Sequence, residues 1–482
     1  MKVKIVLHVL SVIMLIISLF IILSAVVSLI YNEPESTFAF MKTLAIVVPL
    51  SGIVYFLTKS GKNHVLGTRE GFLLVSASWI ASSLVGALPF VFSGAIPSYT
   101  NAFFETMSGF TTTGASILTD IEGLSHGMLF WRSLTHWLGG MGIVVLTVAL
   151  LPLLGIGGIQ LLRAEAPGPS MDKITPKITQ TAKILWLIYV GFTVIEIILL
   201  MIGGMSVFDA STHTFGTMAT GGFSTKAASV GAFNSAYIHI VITVFMVLAG
   251  MNFNLFYKLL SGDFRGFIKD TEMRVYIFIF VSVTLLIGID LLSTYGSFGK
   301  SLQYASFQTA SILTTTGYAT ADYSMWPAFS KNALFFIMFV GGCSGSTGGG
   351  IKVVRIVTLV KLAFNEMKQM VYPRGVFTLR MNGLIMKKEI VYPIAGFFFL
   401  YIFILLAVTL SVSTGGYDIL TSFTTALATL GNIGPGFGKI GPALNYSFFP
   451  GYIKWILSTA MMLGRLEIYT VLILITPKFW RT

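Results

Sequence analysis

Four short segments of the chain combine small hydroxyl or amide side chains with a glycine, a combination that can surround a cation with oxygen atoms. Each segment lies between two long hydrophobic stretches. Backbone carbonyls can replace the hydration shell of a cation, and glycine adopts at low cost the backbone angles that this requires. One such segment is more often an ordinary loop, but four at matching positions favour a selectivity filter around a pseudo-fourfold pore. The segments are Thr112-Thr113-Gly114-Ala115, Thr220-Gly221-Gly222-Phe223, Thr315-Thr316-Gly317-Tyr318 and Asn432-Ile433-Gly434-Pro435.

The filter hypothesis assigns ion-binding oxygens to particular residues. We expect the filter to be formed by Thr112, Thr113, Gly114, Thr220, Gly221, Gly222, Thr315, Thr316, Gly317, Asn432, Ile433 and Gly434. The residues expected to contact the ion, K⁺, are Thr113, Thr220, Thr316 and Asn432. The fourth segment departs from the others because Asn432 and Ile433 replace the hydroxyl residues. Its register therefore has two alternatives, anchored at Gly434 or at Gly431.

A second unusual segment, residues 341–350, is a glycine-rich run inside a long hydrophobic stretch. Each interior glycine disfavours a helix by roughly 1 kcal/mol relative to alanine, so we expect the helix to be interrupted here. Lipid cannot satisfy an interrupted backbone, and the break should therefore face the pore beneath the filter. The alternative is that the glycines let two helices pack closely. The residues expected to line the pore at this break are Gly345, Ser346, Thr347, Gly348, Gly349 and Gly350.

Arg465 lies near the middle of the last hydrophobic stretch. A cation at that depth costs at least about 2.5–3.5 kcal/mol and normally faces a cavity or a partner. Glu467 is close in sequence, but residues two apart point to different faces of a helix. We therefore expect Arg465 to act in the permeation path, either limiting ion occupancy below the filter or holding the gate. An interhelical salt bridge with no role in transport is the alternative.

Acidic residues and histidines near these segments have ordinary explanations as well. Glu105 and Asp209 lie near the expected starts of short helices. There they could attract cations to the mouth of a pore or simply complement a helix dipole. His136, His213 and His239 lack the spacing of metal ligands, so we expect them to be packing residues.

The elements that must position these residues are membrane-spanning helices. Hydrophobic residues make up 55% of the chain and charged residues 10%, too few charges to cover a soluble surface. We predict an all-α polytopic membrane protein with four span–pore helix–loop–span repeats around a central pore, preceded by an extra N-terminal two-helix unit. A span needs roughly 20 apolar residues. The predicted spans are 5–30, 38–58, 71–95, 130–156, 183–205, 236–260, 275–295, 332–362, 390–412 and 452–476.

The distribution of positive charge predicts the orientation. Most of the 31 lysines and arginines lie on the side that holds both termini, which identifies that side as cytoplasmic and places the four filter segments outside. This asymmetry explains the net charge of +12 without a nucleic-acid partner. The cations expected on the external side are Lys42, Arg132, Lys226, Lys300, Lys331, Lys439 and Lys454. The predicted units are the helix pair 1–66 and the pore repeats 67–165, 166–264, 265–372 and 373–482.

The chain resembles the membrane subunit of the Trk/Ktr/HKT superfamily of potassium transporters, and the TrkH branch most closely. The resemblance covers the whole chain and rests on the repeated units and on residues 108–114 (Ser-Gly-Phe-Thr-Thr-Thr-Gly) and 431–436 (Gly-Asn-Ile-Gly-Pro-Gly). In that family a glycine in every filter segment accompanies potassium selectivity, so the resemblance implies the potassium-selective class. It also implies a gate at the glycine-rich segment and a pore role for Arg465.

The same resemblance implies a setting for the protein. It implies a bacterial inner membrane, a homodimer with a separate pore in each protomer, and a cytosolic ring of nucleotide-sensing regulatory subunits of the TrkA type. The basic cytoplasmic loops offer a docking face for such a subunit, although anionic lipid would suit them equally.

Three classes of function compete on the sequence. We favour a gated, potassium-selective permeation protein with K⁺ as the transported ion and no organic cofactor. A proton- or sodium-coupled symporter would use broken helices and acidic residues near mid-membrane, and here such acids are sparse. An intramembrane enzyme would need a nucleophile–base pair or a metal cluster. Neither is visible in the sequence, so we do not expect an enzyme.

Overall fold

Helices account for almost all regular secondary structure in this chain. The computed structural model describes residues 2–59, 67–140, 142, 178–386 and 388–481. Within these ranges the only strands form one antiparallel hairpin, in which Arg380–Met381 pairs with Leu384–Ile385. The prediction of an all-α membrane protein is confirmed. The physical reason is that lipid offers backbone polar groups no partner outside a helix.

The helices differ widely in length. Six of them, identified below, are long and apolar enough to cross a bilayer. In chain order the helices are α1 (Val3–Ile30), α2 (Pro34–Thr58), α3 (Thr68–Phe92), α4 (Tyr99–Phe110), α5 (His126–Gly140), α6 (Ile178–Ile202), α7 (Val207–Met218), α8 (Ala236–Ala249), α9 (Phe253–Leu260), α10 (Phe264–Ile268), α11 (Thr271–Asp290), α12 (Leu292–Tyr295), α13 (Phe298–Leu313), α14 (Ala328–Ile337), α15 (Val353–Val371), α16 (Lys388–Ser413), α17 (Ile419–Leu430), α18 (Gly451–Arg465), α19 (Ile468–Ile475) and α20 (Pro477–Trp480).

The six long apolar helices are α1, α2, α3, α6, α11 and α16. Their apolar residues surround the helix instead of forming one stripe, as expected where lipid covers one face and protein the other. The chain is therefore a multi-pass membrane protein. Two further pairs of helices pass the same test together, so that up to eight spans lie in the described part of the chain.

Those two pairs are bent, which corrects two of the predicted spans. The span predicted at 236–260 is divided into α8 and α9 with an angle of 95° between them, and the span predicted at 452–476 into α18 and α19 with an angle of 119°. The first break has a local cause, because the Asn252 side chain accepts a hydrogen bond from the Asn254 amide and starts a new helix. At the second break Glu467 has a positive φ of 58°, which a helix cannot contain.

Two other predicted spans, 332–362 and 130–156, are not seen as single continuous helices in the described residues. In the span predicted at 332–362, α14 and α15 are separated by residues 338–352, so the interruption expected from the glycines is present. Of the span predicted at 130–156, the structure describes α5 and little more. The rest lies outside the described residues, as do residues 60–66 of the predicted N-terminal unit.

Four half-helices, α4, α7, α13 and α17, each pack against the helix before and the helix after them. These sets are α3–α4–α5, α6–α7–α8, α11–α13–α14 and α16–α17–α18. Packing also continues from one set to another, because α5 contacts α7, α8 contacts α13 and α18 contacts α4. The helices α1 and α2 pack on each other and against α5. The exact boundaries of the predicted repeats stay a prediction.

Candidate functional site

The four predicted filter segments share one backbone geometry. A first left-handed position occurs at Thr112, Thr220, Thr315 and Asn432, with φ of 53°, 53°, 61° and 53°. A second occurs two residues later, at Gly114, Gly222, Gly317 and Gly434, with φ of 79°, 83°, 82° and 93°. Positive φ is uncommon outside glycine, so its recurrence at matching positions defines a common register. In that register Gly434 is the equivalent glycine of the fourth segment, while Gly431 only ends α17 with φ of −80°.

Each segment also turns back on its half-helix through the same hydrogen bond. The amides that donate are those of Thr113, Gly221, Thr316 and Ile433, at 2.9, 2.8, 2.8 and 2.8 Å from the carbonyl oxygen five residues earlier. This is the hydrogen bond of a Schellman-type helix end. In the described part of the chain, no backbone amide donates a hydrogen bond to the carbonyl oxygens of these same four residues. Buried carbonyls are normally paired, so this set of oxygens is available to a ligand.

The segments form a closed ring. A Cβ atom added to Gly114 would collide with the carbonyl oxygen of Gly221, and one added to Gly222 would collide with that of Thr316. The same relation continues from Gly317 to the Ile433 carbonyl and from Gly434 back to the Thr113 carbonyl. The first segment thus meets the second, the second the third, the third the fourth and the fourth the first. Only glycine fits these positions, because both the left-handed backbone and the close approach exclude a side chain.

The register changes one detail of the sequence-based site. The expected ion contacts, Thr113, Thr220, Thr316 and Asn432, do not share one level of the ring. Thr113 and Thr316 align with Gly221 and Ile433, whereas Thr220 and Asn432 align with Thr112 and Thr315. The four residues expected to contact the ion thus belong to two levels of the ring, because the short motifs cannot be aligned without their backbone angles.

We call the level of Thr112, Thr220, Thr315 and Asn432 the inner level. Its side chains differ from one segment to the next. The side-chain oxygens of Thr112 and Asn432 are buried without a hydrogen-bond partner among the described residues. The Asn432 amide nitrogen donates to the Thr113 hydroxyl at 2.9 Å and to the Met461 carbonyl at 2.9 Å. Asn432 therefore joins the fourth segment to the first and to α18, whereas the hydroxyls of Thr314 and Thr316, 2.7 Å apart, form a pair within the third segment.

Tyrosines fasten three of the four junctions between segments. The Tyr318 hydroxyl donates to the Phe223 carbonyl at 3.1 Å and joins the third segment to the second. The Tyr323 hydroxyl donates to the Gly436 carbonyl at 3.0 Å, between the third and the fourth. The Tyr446 hydroxyl donates to the Gly434 carbonyl at 2.6 Å, and its amide donates to the Ser116 carbonyl, between the fourth and the first.

The remaining junction, between the first and the second segment, is fastened by an ion pair. Arg132 Nε lies 2.7 Å from the Glu105 carboxylate, and Arg132 also donates to the Ser224 carbonyl at 2.9 Å. Its guanidinium lies over the Phe223 ring at 3.6 Å. Glu105 is 1% exposed and Arg132 is 2% exposed. Glu105 therefore does not attract ions to an open mouth, and Arg132, expected on the external side, is buried in an ion pair.

Other acidic residues cap the half-helices. Asp418 is the N-cap of α17, and hydrogen bonds from Thr421 hold the pKa of its carboxyl below the usual value. Asp209, in the first turn of α7, accepts hydrogen bonds from the hydroxyls of Ser206 and Thr225, each at 2.8 Å. For Asp209 the structure thus shows contacts of the capping kind, where the sequence left two alternatives open.

Beneath the ring lies the glycine loop, which we define as residues 338–352 between α14 and α15. The Gly341 amide donates to the Ile351 carbonyl at 2.8 Å and closes the base of the loop. Gly345 and Gly350 have positive φ of 72° and 65°. The loop is therefore an ordered turn between α14 and α15, held by its own backbone.

The glycine loop touches the ring directly. The Gly349 amide donates to the Thr315 hydroxyl at 2.6 Å. A Cβ atom on Gly349 would collide with the Gly431 carbonyl oxygen. On the other side of the loop, the Cys343 amide donates to the Gly250 carbonyl at 2.8 Å, at the bend between α8 and α9. The loop thus lies against the ring and against a broken helix at once.

Arg465 reaches the glycine loop from the end of α18. Its guanidinium donates to the Thr347 carbonyl at 2.6 Å and to the carbonyls of Gly139 and Gly140 at 2.6 and 2.7 Å. The partners that the structure shows are therefore backbone carbonyls of the loop and of the end of α5. Glu467, which the sequence already excluded as its partner, forms an ion pair with Arg355 on α15 instead.

Sequence reasoning missed several of these residues. The three tyrosines that join the segments and the Arg355–Glu467 pair carry no short motif, although Tyr318 is the last residue of the third segment and Tyr323 closely follows it. Among the described residues no group of His, Cys, Asp and Glu is arranged to hold a metal ion. The site is therefore made of oxygen atoms, mostly from backbone, with a basic side chain below.

The structure is that of an all-helical, multi-pass membrane protein in which four segments bring their carbonyl groups together in a ring. The family model of TrkH, described as a cation transport protein, matches residues 36–482. The chain belongs to this TrkH family, and the resemblance seen in the sequence is confirmed.

Individual relatives agree with this assignment. The Trk system potassium uptake protein TrkH of Escherichia coli strain K12 is 41% identical over 467 residues, 95% of each chain. TrkH of Halomonas elongata is 39% identical over 486 residues, 100% of each chain. The crystal structure of the potassium transporter TrkH from Vibrio parahaemolyticus matches with a TM-score of 0.89 and 37% identity, covering 100% of both chains.

Proposed function

We propose that this chain takes up K⁺ across the plasma membrane through the ring of four filter segments. The observation that carries the proposal is the ring itself, in which the carbonyl oxygens of Thr113, Gly221, Thr316 and Ile433 form one level and accept no hydrogen bond from a backbone amide of the described residues. Carbonyl oxygens in such a ring replace the hydration shell of a monovalent cation. The proposal is supported by relatives whose names describe potassium uptake.

The ion ligands in this proposal are the carbonyls together with side-chain oxygens at the inner level. The unpartnered oxygens of Thr112 and Asn432 are directed away from protein donors. Glycine at all four anchor positions keeps the ring free of side chains. This is the all-glycine pattern that goes with potassium selectivity in the superfamily.

The glycine loop is the proposed gate, and Arg465 is the residue that holds it. The loop lies directly against the filter through Gly349 and Thr315, so an ion leaving the ring on that side meets it. Arg465 fixes the loop by its contact with the Thr347 carbonyl. The residues of the gate are Gly345, Ser346, Thr347, Gly348, Gly349 and Gly350, with Arg465.

Regulation and setting complete the proposal. The relatives are components of Trk systems, which supports a separate cytosolic, nucleotide-sensing subunit of the TrkA type. We place both termini in the cytoplasm of a bacterial cell with the chain in its inner membrane, as a homodimer in contact with lipid. Charge asymmetry supports this orientation.

The test is passive flux of K⁺, Rb⁺, Na⁺ and Li⁺ into liposomes that contain only the purified chain. Uptake should favour K⁺ and Rb⁺. Gly114→Ser should lower the preference for K⁺ over Na⁺ by about tenfold, because a side chain at a left-handed position beside a neighbouring carbonyl costs of order 1–3 kcal/mol. Gly52→Ser is the control, since a Cβ at Gly52 meets nothing within 4 Å. Unchanged selectivity in Gly114→Ser would contradict the filter assignment.

A second candidate function is proton-coupled symport, and one residue favours it. Glu196 on α6 is 0% exposed, and neither carboxylate oxygen has a hydrogen-bond partner in the described part of the chain. An acidic residue inside a membrane is a candidate proton carrier. Symport predicts that K⁺ uptake needs an inward proton gradient and that Glu196→Gln removes this dependence. Passive uptake that is equal in wild type and Glu196→Gln would leave permeation as the function.

A further inference from the structure

A single carboxylate contacts both ends of residues 344–354, the segment that runs from the glycine loop into the first turn of α15. Glu272, in the first turn of α11, accepts a hydrogen bond from the Ser344 amide at 2.7 Å and another from the Val354 amide at 3.0 Å. Both donate to the same oxygen, Oε1. Ser344 lies in the loop and Val354 lies in the first turn of α15, just beyond it. One side chain from a different helix therefore joins the two ends of residues 344–354.

The environment makes this contact strong. Glu272 is 6% exposed, and a buried amide that loses its acceptor pays its full desolvation cost. The Val354 amide is one of the free donors at the start of α15, so the Glu272 oxygen supplies an acceptor that the helix itself cannot. Among the described residues Glu272 is the one acidic side chain that hydrogen-bonds to the glycine loop.

The glycine loop has other polar contacts between its ends. Cys343 and Thr347 donate backbone hydrogen bonds to the carbonyls of Gly250 and Ala249 at 2.8 and 3.3 Å, and Gly349 donates to the Thr315 hydroxyl. Arg465 and Lys352 donate to the carbonyls of Thr347 and Gly348. Glycines supply no side-chain packing, so the position of residues 344–352 depends on these polar contacts, and Glu272 is the side chain that joins both ends of the segment.

We propose that Glu272 is a positioning residue that latches the glycine loop in its place beneath the filter. Loss of the carboxylate frees two backbone amides at once and lets residues 344–352 leave the ring, while the filter segments stay as they are. The effect on transport rests on the proposed gate function. The effect on the loop itself does not.

The chain contains its own reporter for this motion. Cys343 is the one cysteine among 482 residues. It precedes Ser344 and is 0% exposed. A water-soluble thiol reagent should therefore modify the wild-type protein slowly. Cys343→Ser supplies the background for labelling.

Two substitutions separate the acceptor oxygen from the side-chain volume. Glu272→Met keeps the length but removes the acceptor, and we expect Cys343 in the purified full chain to react at least about tenfold faster, because two buried amides lose their acceptor at once. Glu272→Gln keeps an acceptor oxygen and should give an intermediate rate. Asp270→Asn is the matched control, because Asp270 caps the same helix through the Met273 amide and makes no hydrogen bond to the loop.

Equal Cys343 reactivity in Glu272→Met and wild type would overturn the latch. Should Glu272→Met fail to fold, amide exchange of residues 344–354 in Glu272→Gln decides the question: faster exchange supports the latch and unchanged exchange overturns it. K⁺ uptake measured on the same proteins separates this inference from the proposed function. If Glu272→Met exposes Cys343 without raising uptake, the latch stands and the gate assignment is wrong.

Discussion

Single residues matter most in this protein where a charge is buried beside the filter. Arg132 and Glu105 are almost fully buried and contact each other and the backbone of two filter segments. Removing two charges from water costs several kcal/mol per ion, and their attraction offsets this only when the geometry is good and other hydrogen bonds are satisfied. Here Glu105 also accepts from the Ser116 hydroxyl and the Ile117 amide, each at 2.9 Å. The pair therefore fixes the position of a loop as well as its own charges.

Breaking this pair from one side should be costly. Glu105→Gln leaves the Arg132 charge buried without its counter-ion and should lower the free energy of unfolding by about 3–5 kcal/mol. The double variant Glu105→Gln/Arg132→Gln should lose less than the sum of the two single changes, because no unpaired charge remains. Thermal unfolding in detergent measures all four proteins. Strictly additive losses would show that the two side chains act independently.

Among the structural elements, the broken helices decide the shape of the site. The bend between α8 and α9 provides the Gly250 carbonyl to the glycine loop, and the end of α18 provides Arg465. At the break after α18, Glu467 turns toward Arg355 on α15. Each break thus directs polar groups at the loop that a continuous helix would have used internally. The loop is held by interrupted elements, which supports its role as the moving part.

Arg465 gives this idea a direct test. Arg465→Gln loses charge-assisted hydrogen bonds to the loop and to the end of α5, so passive K⁺ uptake by the isolated chain should rise at least about tenfold. Arg274→Gln is a suitable control, since Arg274 also donates to a backbone carbonyl, that of Ile268, at 2.7 Å, but at an exposed site. Uptake in Arg465→Gln at or below the wild-type level would argue that the arginine conducts ions past the filter and does not restrain the loop.

The whole molecule combines a ring of four similar segments with a single glycine loop that has no counterpart in the other three sets of helices among the described residues. The four filter segments repeat the same angles and contacts, yet the loop beneath them comes from a single unit, between α14 and α15. That loop contacts the second unit at Gly250, its own unit at Thr315 and the fourth unit at Gly431. Through Arg465 it is joined to the first as well. One loop can therefore respond to movement in any part of the ring.

Much of this architecture is already present in the amino-acid order. Long apolar stretches specify membrane helices, because lipid leaves the backbone no other hydrogen-bond partner. Recurrent glycines after hydroxyl residues indicated the four segments, and the glycines of residues 341–350 indicated the interrupted helix. These features depend on local backbone energetics, which neighbouring residues determine.

Contacts between distant parts of the chain were decided only by the tertiary structure. The level of each oxygen in the ring depended on backbone angles, so Thr113 and Thr220 could not be aligned from their motifs. The burial of Arg132 depended on Glu105 and Ser224, which different elements bring to it. The sequence by itself determined that residues 341–350 and the four segments leave the helix, since that is a local property, but it did not indicate the breaks after α8 and α18. The fold decided which oxygens and charges meet, because those partners lie far apart in the chain and come together only through packing.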